Sequence, residues 1–121
     1  IDASGGSGVH FETTRLMNDV VQNLTNLRAV YSMGGGNTTI LDVLEQNRLR
    51  PDIYIAHDLD KDNRALIAAG DLSFVLHHDL RIDLENVFRA FLSHHRLILD
   101  HKMTNISNVQ IVTPMNVPTK D

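Results

Sequence analysis

The sequence predicts an α/β fold, a mostly parallel sheet with helices on both faces in three layers. Three observations predict it. Short apolar segments alternate with stretches of helical periodicity, the pattern of repeated strand and helix units. The strand candidates end in glycine, amide, imidazole or carboxylate residues. A length of 121 residues, 42% apolar and 21% charged, suits one domain with a real core.

The elements follow in order. The segment "ASGGSGVHF" leads into a helix near residues 12–24, where Leu16, Val20, Val21 and Leu24 recur at helical spacing. "LRAVYSM" is the next strand, and after its glycines Ile40, Leu41, Val43 and Leu44 mark a second helix. "RPDIYIAH" reads as a strand opened by proline, and "DKDNRALIAAG" as a helix stopped by Gly70 in a C-cap. "LSFVLHH" is a strand, followed by the helix "DLENVFRAFLSHH", whose buried side is expected to carry Leu84, Val87, Phe88, Phe91 and Leu92. The last segment, "NVQIVTPMNVP", contains Pro114 and Pro118 and so belongs at a sheet edge.

Composition narrows the functions. A formal charge of -4 with no Lys/Arg cluster argues against this segment gripping a phosphate backbone itself, since that takes several cationic contacts. The absence of cysteine excludes thiolate nucleophiles, sulfur metal sites and a disulfide framework. The longest apolar runs are far too short for a membrane-spanning helix.

The polar residues fall in a pattern. Ser4–Gly8, Gly34–Asn37, His57 with Asp58, and His77 and His78 with Asp79 each lie at the end of a strand candidate. Ligands of open α/β sheets bind outside the carboxyl ends of the strands, so these clusters are expected to line one rim.

Each cluster admits rival readings. "GGGNTT" lacks the lysine of a phosphate-binding Walker loop, and Thr39 stands where a dinucleotide fingerprint needs its third glycine. What remains is a turn whose backbone a ligand can approach closely, followed by an Asn37 amide free for hydrogen bonding or serving as a helix N-cap. In "IYIAHDLDKD", a calcium loop fails because Asn63 and Ala69 replace its glycine and glutamate. The same run resembles the haloacid dehalogenase motif, with Asp58 as nucleophile and Asp60 as acid/base, although Asp62 replaces the usual Thr or Val. A third reading has Asp58 accepting ligand hydroxyls beside His57, and a fourth has Asp58 or Asp60 only capping the next helix. His77 and His78 point to opposite faces of a strand, which disfavours a shared metal. His94, His95 and His101 suit the polar end of a helix and the loop behind it.

The run "LRAVYSMGGGNTTILDVLEQNRLRPDIYIAHDLDKDNRALIAAGDLSFVLHHDL" resembles, in the order and spacing of its parts, the effector-binding domain of the lac repressor family of transcription regulators. That domain shares its fold with type 1 periplasmic sugar-binding proteins and holds its ligand between two subdomains joined by three crossover strands. The resemblance puts Gly34, Gly36 and Asn37 at the ligand-facing turn, and Asp58, beside His57, at the hydroxyl-binding acid. His78 falls where many relatives have a glutamine, and glycines replace the usual Asn-Asp start of the turn helix.

The resemblance further implies that residues 1–121 are the C-terminal portion of a domain binding a sugar-like or polyol effector. A helix-turn-helix headpiece and a first subdomain would precede it. It implies a cytoplasmic, non-enzymatic homodimer without cofactor or metal, touching DNA only through that headpiece. The alternatives are a periplasmic sugar-binding receptor and a haloacid dehalogenase-like phosphohydrolase using Asp58. Without the first subdomain, residues 74–92 are expected to expose apolar surface or to form a rearranged dimer.

Overall fold

The computed structural model describes residues 10–99 and 107–118. Its elements run α1 (His10–Val21), β1 (Ala29–Ser32), α2 (Asn37–Gln46), β2 (Ile53–His57), α3 (Lys61–Ala69), β3 (Phe74–His78), α4 (Leu80–His94) and β4 (Val109–Val112). The expected cluster at Ser4–Gly8 and the residue His101 lie outside the described residues.

The sheet has the order β1-β2-β3-β4. β1 and β2 are parallel, with Ser32 beside Ala56, and β2 and β3 are parallel, with His57 beside Leu76. The parallel α/β arrangement expected from the alternating pattern is therefore present. β4 takes an edge, and Pro114 and Pro118 fall beyond its last residue, where a missing N–H costs no ladder hydrogen bond.

The chain divides into two compact units, one comprising residues 1–76 and 111–121 and the other residues 77–110. In the first, alternation along β2 buries Tyr54 and Ala56 while Ile53 stays 44% exposed, as a period of two requires when one face is packed. Tyr54, Ala56, Leu59, Ile67, Leu72, Val75 and Val112 form the main core cluster. Val21, Val43 and Leu44 form a second, and Val30 and Ile40 pack against both.

Local chemistry sets the helix ends. The Asp60 carboxylate accepts the Asn63 N–H at 2.7 Å and caps α3, satisfying one of the donors that a helix start leaves unpaired. Gly70 closes the same helix with φ 84°, a left-handed conformation that glycine adopts without a Cβ penalty. The position before α2 is Gly36, also at φ 84° and without a side-chain cap. Asn37 is thus the first residue of the helix rather than its cap.

In the second unit, Asp79 caps α4 by accepting the N–H groups of Arg81 at 3.1 Å and Ile82 at 3.2 Å. Here one expectation is corrected. No residue of α4 is buried, and its apolar stripe is open, with Leu84 68%, Val87 66%, Phe88 62% and Phe91 57% exposed. Periodicity dictates that one side of a helix is apolar. It does not supply the element that covers that side.

Candidate functional site

The register of β1 on β2 places the residues after Ser32 and those after Ala56 at one end of the sheet. Two turns meet there. The first leaves β1 through residues 33–36, with the Ser32 hydroxyl donating to the Gly34 carbonyl at 3.3 Å. Gly34 is exposed, and a Cβ built on it would meet no atom within 4 Å, so the space beside this backbone is open.

Asn37 follows, and it faces inward. It is 3% exposed. Its Nδ2 donates to Asn63 Oδ1 at 2.8 Å and to the Gly34 carbonyl at 3.4 Å, and its Oδ1 accepts the Tyr54 hydroxyl at 2.9 Å. These bonds use both amide donors and the amide oxygen, which makes the side chain a brace inside the turn.

The second turn leaves β2 through His57 and Asp58. Asp58 is exposed and has φ 62°, the left-handed region in which a side chain crowds its own backbone. Its N–H donates to the Leu76 carbonyl at 2.8 Å. Its carbonyl and that of His57 accept the two Asn63 Nδ2 protons at 2.8 and 2.9 Å. Asn63 is only 2% exposed. One buried amide therefore clamps two successive carbonyls of the turn. The half-buried His57 hydrogen-bonds through Nε2 to the Tyr31 hydroxyl at 2.6 Å, with ring centroids 5.5 Å apart.

Burial pushes the Tyr54 hydroxyl well above the ordinary tyrosine range, and a hydrogen bond with Ser32 only partly opposes this. Tyr54 is accordingly a neutral donor at any physiological pH. The whole braced cluster of Ser32, Gly34, Asn37, Tyr54 and Asn63 is uncharged.

Of the residues singled out in the sequence, Gly34, Gly36, Asn37, His57 and Asp58 lie in these two linked turns. The two carboxylates of "HDLD" separate cleanly: Asp60 is the helix cap, while Asp58 makes no cap contact and lies exposed. His78 belongs to the second unit, where its Nδ1 hydrogen-bonds Ser107 Oγ at 3.1 Å, and that hydroxyl donates to Asp83 Oδ2 at 2.7 Å.

Sequence reasoning missed Asn63, Tyr54 and Tyr31. The period of two in "IYIAH" pairs Tyr54 with Ala56 on one face and was signal enough for its burial. Nothing local marks Asn63, whose partner Asn37 lies 26 positions earlier. A groove of about 330 Å³ between α2 and α3, lined by Leu41, Glu45, Arg48, Pro51 and Leu66 among others, lies toward the start of β2, the opposite end from Asp58.

No protein-family model matches the chain, and no curated protein matches it. A solved structure does. The crystal structure of a sugar ABC transporter sugar-binding protein from Bacillus halodurans superimposes with a TM-score of 0.65 at 19% identity, over 93% of this chain and 43% of that one. The fold is periplasmic-binding-protein-like. The chain thus spans less than half the length of that binding protein. Gly34 and Asp58 lie just beyond the carboxyl ends of β1 and β2.

Proposed function

We propose that this chain is the ligand-sensing part of a bacterial transcription regulator of the lac repressor type, binding a sugar-like or polyol effector. The observation that carries this reading is Asp58, an exposed carboxylate held in a left-handed conformation at the end of β2. Aspartate tolerates this conformation better than most side chains, and Arg48 and Arg96 share it, so what supports the reading is the exposed carboxylate placed at a strand end. A carboxylate accepts two hydroxyl donors at once, and the open side of Gly34 leaves room for a ring to approach the backbone. In this proposal Asp58 binds hydroxyls, Gly34 and Gly36 form the close-approach turn, His57 flanks the carboxylate, and Asn37 holds the two turns in place.

Binding, and not catalysis, is the proposed activity. A phosphohydrolase reading needs Asp60 as acid/base, yet Asp60 is engaged in capping α3. The similar structure from Bacillus halodurans carries the name of a sugar-binding protein. As mechanism, the effector closes a cleft between this part and a first subdomain, and closure shifts the population between states of different DNA affinity. DNA contact belongs to a separate helix-turn-helix headpiece, the location is cytoplasmic, and the open stripe of α4 pairs with a second copy in a homodimer.

The transporter name of the similar structure favours a second reading, a periplasmic sugar receptor. Thermal-shift screening of the full-length protein against monosaccharides and polyols, repeated with Asp58→Asn, tests the shared core of both. The expected result is stabilisation by at least one compound that disappears in the variant. Magnesium-dependent phosphatase turnover abolished by Asp58→Asn would overturn it. Retained specific binding of operator-like DNA, released by the effector, separates the regulator from the receptor.

A further inference from the structure

We infer that Asn63 is the positioning residue of the site, locking Asp58 in its left-handed conformation and, through Asn37, tying it to the Gly34 turn. The inference rests on the reading of Asp58 as a ligand contact but is testable without any ligand. A left-handed aspartate costs more than glycine and less than most side chains, so the hydrogen bonds around the turn decide how firmly it is held. Asn63 Nδ2 donates to the His57 and Asp58 carbonyls at 2.9 and 2.8 Å.

Asn63 is itself fixed. Its backbone N–H is bound to the Asp60 cap at 2.7 Å, and its Oδ1 accepts Asn37 Nδ2 at 2.8 Å. Asn37 reaches on to the Gly34 carbonyl and is held by the Tyr54 hydroxyl. A continuous chain of hydrogen bonds, buried between Asn63 and Asn37 and part-buried at both ends, therefore runs from the turn after β2 to the turn after β1. Both donors and the oxygen of each amide are engaged, so rotating either amide places a donor against a donor and an acceptor against an acceptor. The two turns hold their shape together, and a ligand that contacts both meets a preorganised surface.

The test is amide hydrogen exchange on Asn63→Ala. The Asp58 N–H bonds the Leu76 carbonyl and reports the turn, while the Ser73 N–H bonds the Tyr54 carbonyl at 2.8 Å and reports the sheet. The expected result is faster exchange at Asp58, on the order of tenfold beyond any change at Ser73, together with a shifted Gly34 carbonyl carbon resonance. Equal acceleration at both amides, or an unmoved Gly34 resonance, overturns the inference. Should Asn63→Ala fail to fold, the double variant with Asp58→Gly decides: glycine tolerates φ 62° unaided, so recovered folding supports the clamp and continued failure refutes it. Titration of the wild type with D-ribose and xylitol is a separate arm. Silence there at Asp58 counts against the ligand site while leaving the clamp result standing.

Discussion

The Tyr54 hydroxyl donates to Asn37 Oδ1 across 2.9 Å, with Tyr54 2% and Asn37 3% exposed. A strand residue in the middle of the sheet thereby braces the first residue of the helix that follows β1. Removing the hydroxyl leaves a buried amide oxygen without its partner. Tyr54→Phe is expected to cost about 1–3 kcal/mol, measured by urea unfolding at neutral pH.

The same hydroxyl gives a pH dependence. Its pKa is raised in the folded state by burial, so the folded chain keeps a proton that the unfolded chain releases above about pH 10. The stabilisation is fully present below that pH and is lost progressively as pH rises from there through the raised folded-state value. Wild-type stability should fall more steeply than that of Tyr54→Phe between neutral pH and pH 11. Parallel curves would show that another group governs alkaline unfolding.

Gly34 and Gly36 differ. Gly34→Ala places its methyl in open space without a positive φ and should change stability by less than about 0.5 kcal/mol. Gly36→Ala must hold φ 84° and should cost about 1–2 kcal/mol. If the turn faces a ligand, Gly34→Ala lowers affinity for any sugar found by screening while its melting temperature stays unchanged.

The two aspartates also separate by assay. Asp60→Ala removes the α3 cap and should cost about 1 kcal/mol. Asp58→Asn keeps a residue type tolerant of left-handed φ and should be nearly silent in unfolding while abolishing ligand binding. A binding defect in Asp60→Ala at temperatures where it is fully folded, with none in Asp58→Asn, would reverse the assignment.

On α4, Leu84 and Phe88 are more than half exposed, and changing them to lysine should leave unfolding of the first unit within about 0.5 kcal/mol of wild type. Sedimentation velocity on wild type and Leu84→Lys/Phe88→Lys tests the homodimer. A dimer weakened by the lysines is expected; a concentration-independent monomer for the wild type removes that part of the proposal.

By itself, the sequence determined the parallel α/β order of this protein. Alternation in "IYIAH" and "LSFVLHH", helical spacing in α1 to α4 and the Gly70 stop are short-range patterns, set by backbone geometry within a few residues. The two turns were legible for the same reason, since glycines and strand-end polar residues mark where a chain must leave a sheet. Tertiary structure alone decided what the polar side chains do. Whether Asn37 faces solvent or the core depends on Asn63 and Tyr54, 26 and 17 positions away, and whether an aspartate caps a helix or stays exposed depends on where the helix starts. The apolar side of α4 obeys the same logic: its existence is periodic and local, but its burial requires a covering element that periodicity does not specify.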